Sequence, residues 1–410
     1  MRKRVIVVGG GAAGLMAAGR AAECGACVIT LEKENSPSLK LLQTGNGRCN
    51  LSNLASAQEL TQHLGPQGRF MRNAFVQMAS PELRALLARL GIQTVSDELG
   101  RVYPASGRAQ DVRDALVRYA TGRGAELRTC AEVVGLRIDA SRVQAVQLRS
   151  GEVLTADAVI LATGGRAWTR CQAESSGYAL AAMAGHTQTP LAPGLVPLVV
   201  REAWVAQLEG ISLESVTLRA ALSDGHSLEQ NGALVFTRDG ISGPAALNLS
   251  NRLALGLRGG PLGMTIDLLP NHTREQIMHG IFVSQTNNKL SDATNNLQAL
   301  LPRRLCQQLE ALLQPEMPGQ HLSRHQCERV ISLIKGLSLT VVRTRSFREA
   351  MVTVGGVACE GIEPRSMASR LCGGLYLVGE LLDLAGDTGG FNLQIAFSSG
   401  WVAGSAAVVA

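Results

Sequence analysis

The sequence predicts an α/β fold in which one domain is built from both ends of the chain and the middle is inserted into it. Three observations carry this. A short β-branched run near the N-terminus leads directly into a glycine-rich turn. A second glycine-rich strand–turn–helix pattern closes the chain. Between them, Pro190, Pro193 and Pro197 mark a change to short alternating runs. The length agrees, because 410 residues exceed the ~250–300 at which single hydrophobic cores stop growing.

Each element has its reason. Arg4–Val8 is short, apolar and β-branched, the mark of a parallel strand covered on both faces. Gly9, Gly10, Gly11 and Gly14 follow at once. Residues 15–23 are alanine-rich and helical in propensity, with Gly25 placed to end the helix. Cys27–Leu31 is a second strand that ends at Glu32. Periodicity predicts helices over 81–90 and 109–121, strands over 133–138 and 143–148, and a buried strand over 159–162 that breaks at Thr163-Gly164-Gly165. Beyond Pro190, the alternation over 216–219 and 233–236 predicts a small antiparallel barrel or sandwich. After Leu268-Leu269-Pro270 the chain is polar and helical to about 337. Strands return at 339–343 and 375–379, and a helix starts near Asn392. The implied division is 1–190 with 346–410, then 191–270 with 336–345, then a helical subdomain over 271–335.

Composition narrows the classes. Hydrophobic residues are 46% and charged residues 18%, which excludes a disordered chain or a coiled coil. The 45 glycines follow no fixed period, so they mark turns and close approaches rather than a collagen repeat. The net charge of +6 favours polyanions without requiring them. The run 5–8 is too short for a secretory leader, and no stretch reaches the ~18 apolar residues of a membrane span. A cytoplasmic chain with nine reduced cysteines is expected.

The first chemical motif is G-x-G-x-x-G at Gly9, Gly11 and Gly14. Its glycines allow the tight turn, the approach of a pyrophosphate to the backbone, and close packing of helix on strand. The helix N-terminus then holds the diphosphate. Glu32, at the end of the next strand, is placed to accept from ribose hydroxyls and disfavours a 2′-phosphate. This motif does not choose between FAD and NAD. The C-terminal segment bears on the choice: Gly379-Glu380, Gly386 and Gly389-Gly390 before a helix suit the other half of a long cofactor. There the helix N-terminus at 390–393 would stabilise the charge that a reduced flavin carries at its N1–C2 carbonyl edge.

Longer motifs carry a resemblance. Leu41-Leu42-Gln43-Thr44-Gly45-Asn46-Gly47-Arg48-Cys49-Asn50-Leu51-Ser52-Asn53 resembles the G-G-G-R-C-N-x-T-N signature of the HI0933-like family of bacterial FAD-dependent oxidoreductases. So do Gly100-Arg101-Val102-Tyr103-Pro104, Ser242-Gly243-Pro244, Val352-Thr353-Val354-Gly355-Gly356-Val357 and the tail over 379–404. The resemblance spans the chain. It implies a glutathione-reductase-type FAD-binding Rossmann domain with an inserted antiparallel β-barrel and a helical subdomain, and non-covalent FAD. The cofactor-binding set it implies is Gly9, Gly11, Ala12, Ala13 and Gly14, then Glu32 and Lys33, then Gly47, Arg48 and Asn50. Val134, Thr163, Gly164 and Gly165 follow, and the set ends with Gly379, Glu380, Gly389, Gly390, Phe391, Asn392 and Leu393. Arg238, Phe391 and Asn46 depart from the family's usual His, Tyr and Gly, and the first two remove proton donors.

The activity so implied is reduction of a C=C bond conjugated to a carbonyl, by hydride transfer from flavin N5. The substrate is a uridine of ribosomal RNA or a small enone. Arg48 or a backbone N–H would polarise the carbonyl, and Cys49 is the candidate acid. The other readings are an amine oxidase of the aminoacetone type and an RNA-binding flavoprotein without turnover. No second G-x-G-x-x-G lies between 160 and 375, so NAD(P)H is expected to dock transiently. Residues 273–335 hold seven basic and five acidic residues, a mild excess that leans toward RNA, yet Phe282 is their only aromatic. Cys24 and Cys27 have C-x-x-C spacing and are expected to pack in the core. His321 and His325, four apart and followed by Cys327, are expected on a solvated helix face, with no metal.

Overall fold

The computed structural model describes residues 2–167, 176–222, 225–282, 297–313 and 324–409. The chain divides into two compact units, Met1–Ala192 with Val352–Ala410, and Pro193–Met351.

The first unit is built on a seven-stranded sheet. Its centre is β1 (Arg4–Val8), flanked by β2 (Cys27–Leu31), reached through α1 (Ala12–Glu23). Helix α2 (Ala109–Thr121) leads to β3 (Glu126–Arg128), which pairs with β2; β4 (Ala158–Leu161) and β5 (Leu375–Leu377) extend the sheet on the other side. These five strands are parallel. Val5, Ile6 and Val7 are fully buried, which is why this stretch is continuously apolar rather than alternating. The long helix α3 (Phe391–Val409) closes the unit. It lies on α1 at backbone distance: a Cβ at Gly400 would sit 2.4 Å from Ala13 O, and one at Gly404 would sit 2.5 Å from Ala17 O. Arg20 fastens the crossing, with its guanidinium 4.1 Å from the centre of the Trp401 ring and its Nε donating to Ser405 Oγ at 2.8 Å.

In the second unit the alternating runs form a closed six-stranded antiparallel barrel, which decides between barrel and sandwich. Val216, Leu218, Leu234, Phe236 and Ile266 fill it. The helices Arg303–Leu313 and Arg324–Lys335 send Leu305, Leu309, Cys327 and Ile331 into the same cluster, so they share a core with the barrel instead of forming one of their own. His325 is exposed on its helix, in line with a solvated face, whereas Cys327 is buried; His321 lies outside the described residues. Among the described residues no group of three or more His, Cys, Asp or Glu side chains could hold a metal ion. Among them, too, no helix is long and apolar enough to cross a membrane.

Cys24 and Cys27 correct their expectation. Both are exposed free thiols at the turn between α1 and β2, because Gly25, at φ +96°, reverses the chain at the surface.

The β1–α1 junction yields a test. A Cβ at Gly14 would lie 1.9 Å from Gly9 O, a backbone atom that cannot swing away. Gly14→Ala is expected to cost about 3 kcal/mol or more and to lower the melting temperature by several degrees. Gly263→Ala, whose Cβ would meet nothing within 4 Å, should stay within about 0.5 kcal/mol by the same calorimetry.

Candidate cofactor cradle and active site

The N-terminal half of the site starts at the turn. Gly9 adopts φ +106° and donates to Leu31 O at 2.8 Å, holding the turn against β2. Gly11 caps α1 with no side-chain partner, and a Cβ there would meet no protein atom within 4 Å. The N–H groups of a helix's first turn have no intrahelical acceptor, so Ala12, Ala13 and Gly14 offer donors and a partial positive charge to an anion over Gly11. A pyrophosphate fits this arrangement.

Glu32 sits beside it, nearly buried. One carboxylate oxygen accepts from Gly10 N at 2.7 Å and the other from Glu34 N at 2.9 Å. Burial pushes its carboxyl above the usual range, and those two N–H groups pull it back. Each oxygen keeps a lone pair for a ribose hydroxyl. Lys33 is exposed, 3.9 Å from Glu34, and edges a wide cleft of about 710 Å³ that also reaches Arg128, Cys130, Glu132 and Arg149. Val134 stands where the register of its strand slips against the next one, which takes its backbone out of the ladder.

The C-terminal half is tied together by pairings between distant segments. Glu380 forms an ion pair with Lys40, and its other oxygen accepts from Thr353 N at 2.9 Å. Thr353 Oγ1 in turn accepts from Arg166 N at 2.8 Å and Ala167 N at 2.9 Å. That hydroxyl explains Gly165, where a Cβ would lie 2.4 Å from it. Thr163 Oγ1 is buried without a partner, beside Gly164 at φ +74°. Gly379 donates to Ser399 Oγ at 3.0 Å. At the start of α3, Asn392 clasps its own loop, accepting from Gly386 N at 2.8 Å and donating to Gly386 O at 2.9 Å. Leu393 completes that first turn. Asn53 Nδ2 donates to Gly389 O at 3.2 Å. Asn50 accepts from Gly390 N at 3.1 Å in the amide orientation that matches donors to acceptors.

The signature loop places its two catalytic candidates differently. Gly47 takes φ +84°, and Arg48 is exposed with its guanidinium 5.0 Å from the centre of the Tyr103 ring. Cys49 is fully buried, at φ +62°, and burial pushes its thiol up to about 12. A thiol sealed from solvent suits the packing role open to a lone cysteine better than that of an acid. Phe391 is buried too, its ring stacked on His63 at 4.0 Å between centroids.

Lys40, Thr353, Asn53, His63 and Asp387 are the site residues that local sequence reading missed. Thr353, Asn53 and Asp387 lie inside the motifs that carry the resemblance. Lys40 and His63 carry no local signal, because each acts through a partner far along the chain.

The two N-termini share one ridge. Ala13, at the start of α1, packs on Gly400, and between Phe391 and Gly400 α3 rises roughly 14 Å. A ribityl phosphate arm joins a phosphate at one end to a ring at the other, and Glu32, beside the α1 N-terminus, adds a place for the adenosine ribose of a dinucleotide. Fold and site together define the class, an FAD-dependent oxidoreductase. The chain belongs to the HI0933-like family, whose model, described as "HI0933-like protein Rossmann domain", matches residues 3–406. It is 34% identical over 409 residues to a 3-dehydro-bile acid delta(4,6)-reductase of Clostridium scindens, covering 98% of each chain. It is 29% identical over 397 residues to a ribosomal RNA dihydrouridine synthase of Escherichia coli, covering 97% of this chain and 96% of that one. A solved 3-ketosteroid delta1-dehydrogenase from Sterolibacterium denitrificans aligns over 99% of both chains, with a TM-score of 0.56 at 13% identity, a likeness of fold.

Two outcomes check the cradle. Gly11→Leu fills open space and should fold normally, yet bind no flavin and lose the thermal stabilisation that a ligand confers. Mass-spectrometric alkylation of the native protein near neutral pH should label Cys24, Cys27 and Cys130 and leave Cys49 untouched; early labelling of Cys49 would show an open thiol.

Proposed function

We propose that the chain binds FAD non-covalently across the two helix N-termini and reduces a C=C bond conjugated to a carbonyl. The observation that carries this is the paired, glycine-framed N-termini of α1 and α3 on one ridge. Gly11, Ala12, Ala13 and Gly14 would hold the pyrophosphate, Glu32 the adenosine ribose, and Glu380 the ribityl hydroxyls. The first turn of α3, with Gly389, Gly390 and Asn50, would face the ring's N1–C2 edge. Bound FAD supplies hydride. Arg48, exposed in the signature loop, would bind and polarise the acceptor carbonyl. A nicotinamide that docks transiently is the proposed electron donor.

The surface next to Gly389 favours a small apolar enone. Asn53, which bonds Gly389 O, also donates to Leu99 O at 3.3 Å, and Leu99 and Leu54 are 71% and 48% exposed there. Two exposed leucines suit a polycyclic ketone better than a phosphate backbone. A uridine of ribosomal RNA is the second reading, favoured by the similarity to the dihydrouridine synthase and by the net charge of +6. It undergoes the same reduction at the double bond conjugated to its carbonyl.

The tests are direct. Acid precipitation of the yellow protein should release FAD into the supernatant; flavin left on the pellet, or FMN alone, would contradict the proposal. Anaerobic NADPH oxidation should then be stimulated by a 3-oxo-Δ4 steroid or by protein-free ribosomal RNA, and whichever accelerates it identifies the substrate class. Peroxide formation with aminoacetone and no stimulation by either would instead mark an oxidase.

A further inference from the structure

With Cys49 sealed and no hydroxyl at Phe391, the cradle needs another source of protons. His63 ends the short helix Ala57–Gln62, and three contacts fix it to the loop that opens α3. Its Nδ1 is 2.9 Å from Asp387 Oδ2, its carbonyl accepts from Asp387 N at 3.0 Å, and its ring stacks on Phe391 with 19° between the planes. Asp387 is itself held, because Asn392 Nδ2 donates to its carbonyl at 3.1 Å. The Asp387 side chain is 14% exposed and that of His63 42%. The carboxylate is thus tucked in and the imidazole faces outward. A carboxylate on Nδ1 selects the tautomer with Nδ1–H donating, which leaves Nε2 to take up and give a proton. The other described histidine of this unit, His186, is 6% exposed with its Nε2 spent on Ser369 Oγ at 2.8 Å. His63 is the imidazole of the cradle unit that presents a nitrogen outward.

We propose that His63 is the acid of this site, protonating the substrate's α-carbon, and that Asp387 is its positioning residue. The inference rests on the C=C reduction proposed above. Bound reduced flavin would supply two electrons and a proton as hydride, which would form the new C–H bond at the β-carbon. The π electrons of the double bond move toward the carbonyl, and the α-carbon takes the proton from Nε2–H. His63 is left neutral and regains its proton from water at its exposed side. The nicotinamide donor restores the reduced flavin. Stacking on Phe391 holds the imidazole plane while Nε2 changes state. The loop Gly386–Gly390 thereby carries both the backbone that frames α3 and the carboxylate that orients the acid.

The experiment uses purified holoenzyme, with His63→Gln, His63→Phe, Asp387→Asn and His63→Ala. Flavin content, melting temperature and reduction by NADPH should match wild type in His63→Gln and His63→Phe, the second of which preserves the stack. Reoxidation of the reduced holoenzyme by a 3-oxo-Δ4 steroid or by ribosomal RNA should slow by ~10²–10⁴-fold, the usual worth of a positioned acid. Reoxidation by ferricyanide, which needs no carbon protonated, should not change. Imidazole in the buffer should partly restore His63→Ala, and Asp387→Asn should lower kcat with KM unchanged. Independently of turnover, carbethoxylation of His63, read by peptide mass spectrometry, should be suppressed by a saturating 3-oxo-5β steroid or by ribosomal RNA. Wild-type rates in His63→Gln would overturn the assignment while C=C reduction stands, and so would loss of flavin with no selective loss of substrate reduction. A wild-type enzyme that reduces neither substrate would overturn the proposed function and this assignment with it.

Discussion

The constraint on which the cradle unit depends is the backbone-to-backbone crossing of α1 and α3. Gly400 and Gly404 allow α3 to lie on Ala13 O and Ala17 O, and Gly14 allows α1 to lie on the Gly9 carbonyl. Each of these distances excludes even a methyl group. Close crossing does two things at once. It covers one side of α1 with glycines and alanines, while Gly19 on α1 lies against the Tyr119 ring. It also brings two helix N-termini, from opposite ends of the chain, onto one ridge.

Electrostatics then distributes the roles. The first turn of α1, proposed for the pyrophosphate, offers backbone N–H groups, with no basic side chain among its residues. Carboxylates stand where hydroxyls would be bound, Glu32 on one side and Glu380 on the other, and each is held by backbone N–H groups and not by packing alone. The Lys40–Glu380 ion pair is partly exposed, so its stabilising effect is small; its geometric effect is to hold the segment before the signature loop against the C-terminal turn. Burial works the other way on Cys49, pushing its thiol up in the middle of a polar loop.

How much of this the sequence disclosed depends on the range of the interaction. The β1 turn, α1 and β2 are local: an apolar run, three glycines and a capping glycine lie within thirty residues, and the elements form within a few residues of the expected limits. The barrel strands were legible from alternation, but their closure was not, since a sandwich alternates in the same way. Arg48 and Cys49 are neighbours in sequence with opposite fates, and only the left-handed backbone at Cys49 turns its thiol inward. The C-x-x-C pair suffers the converse, being carried to the surface by the turn at Gly25. The ties Lys40 to Glu380, Thr353 to Arg166, and His63 to Asp387 join residues hundreds of positions apart, or different motifs, and no local pattern announces them.

The central claim is that one long cofactor engages both helix N-termini together. Hydrogen–deuterium exchange on adding FAD to the flavin-free protein tests it most directly. The account predicts that amides 11–14 and 390–393 gain protection in parallel, with the same dependence on FAD concentration, and that AMP protects the first set alone. Protection of only one set by FAD, or two sets that saturate at different concentrations, would contradict it.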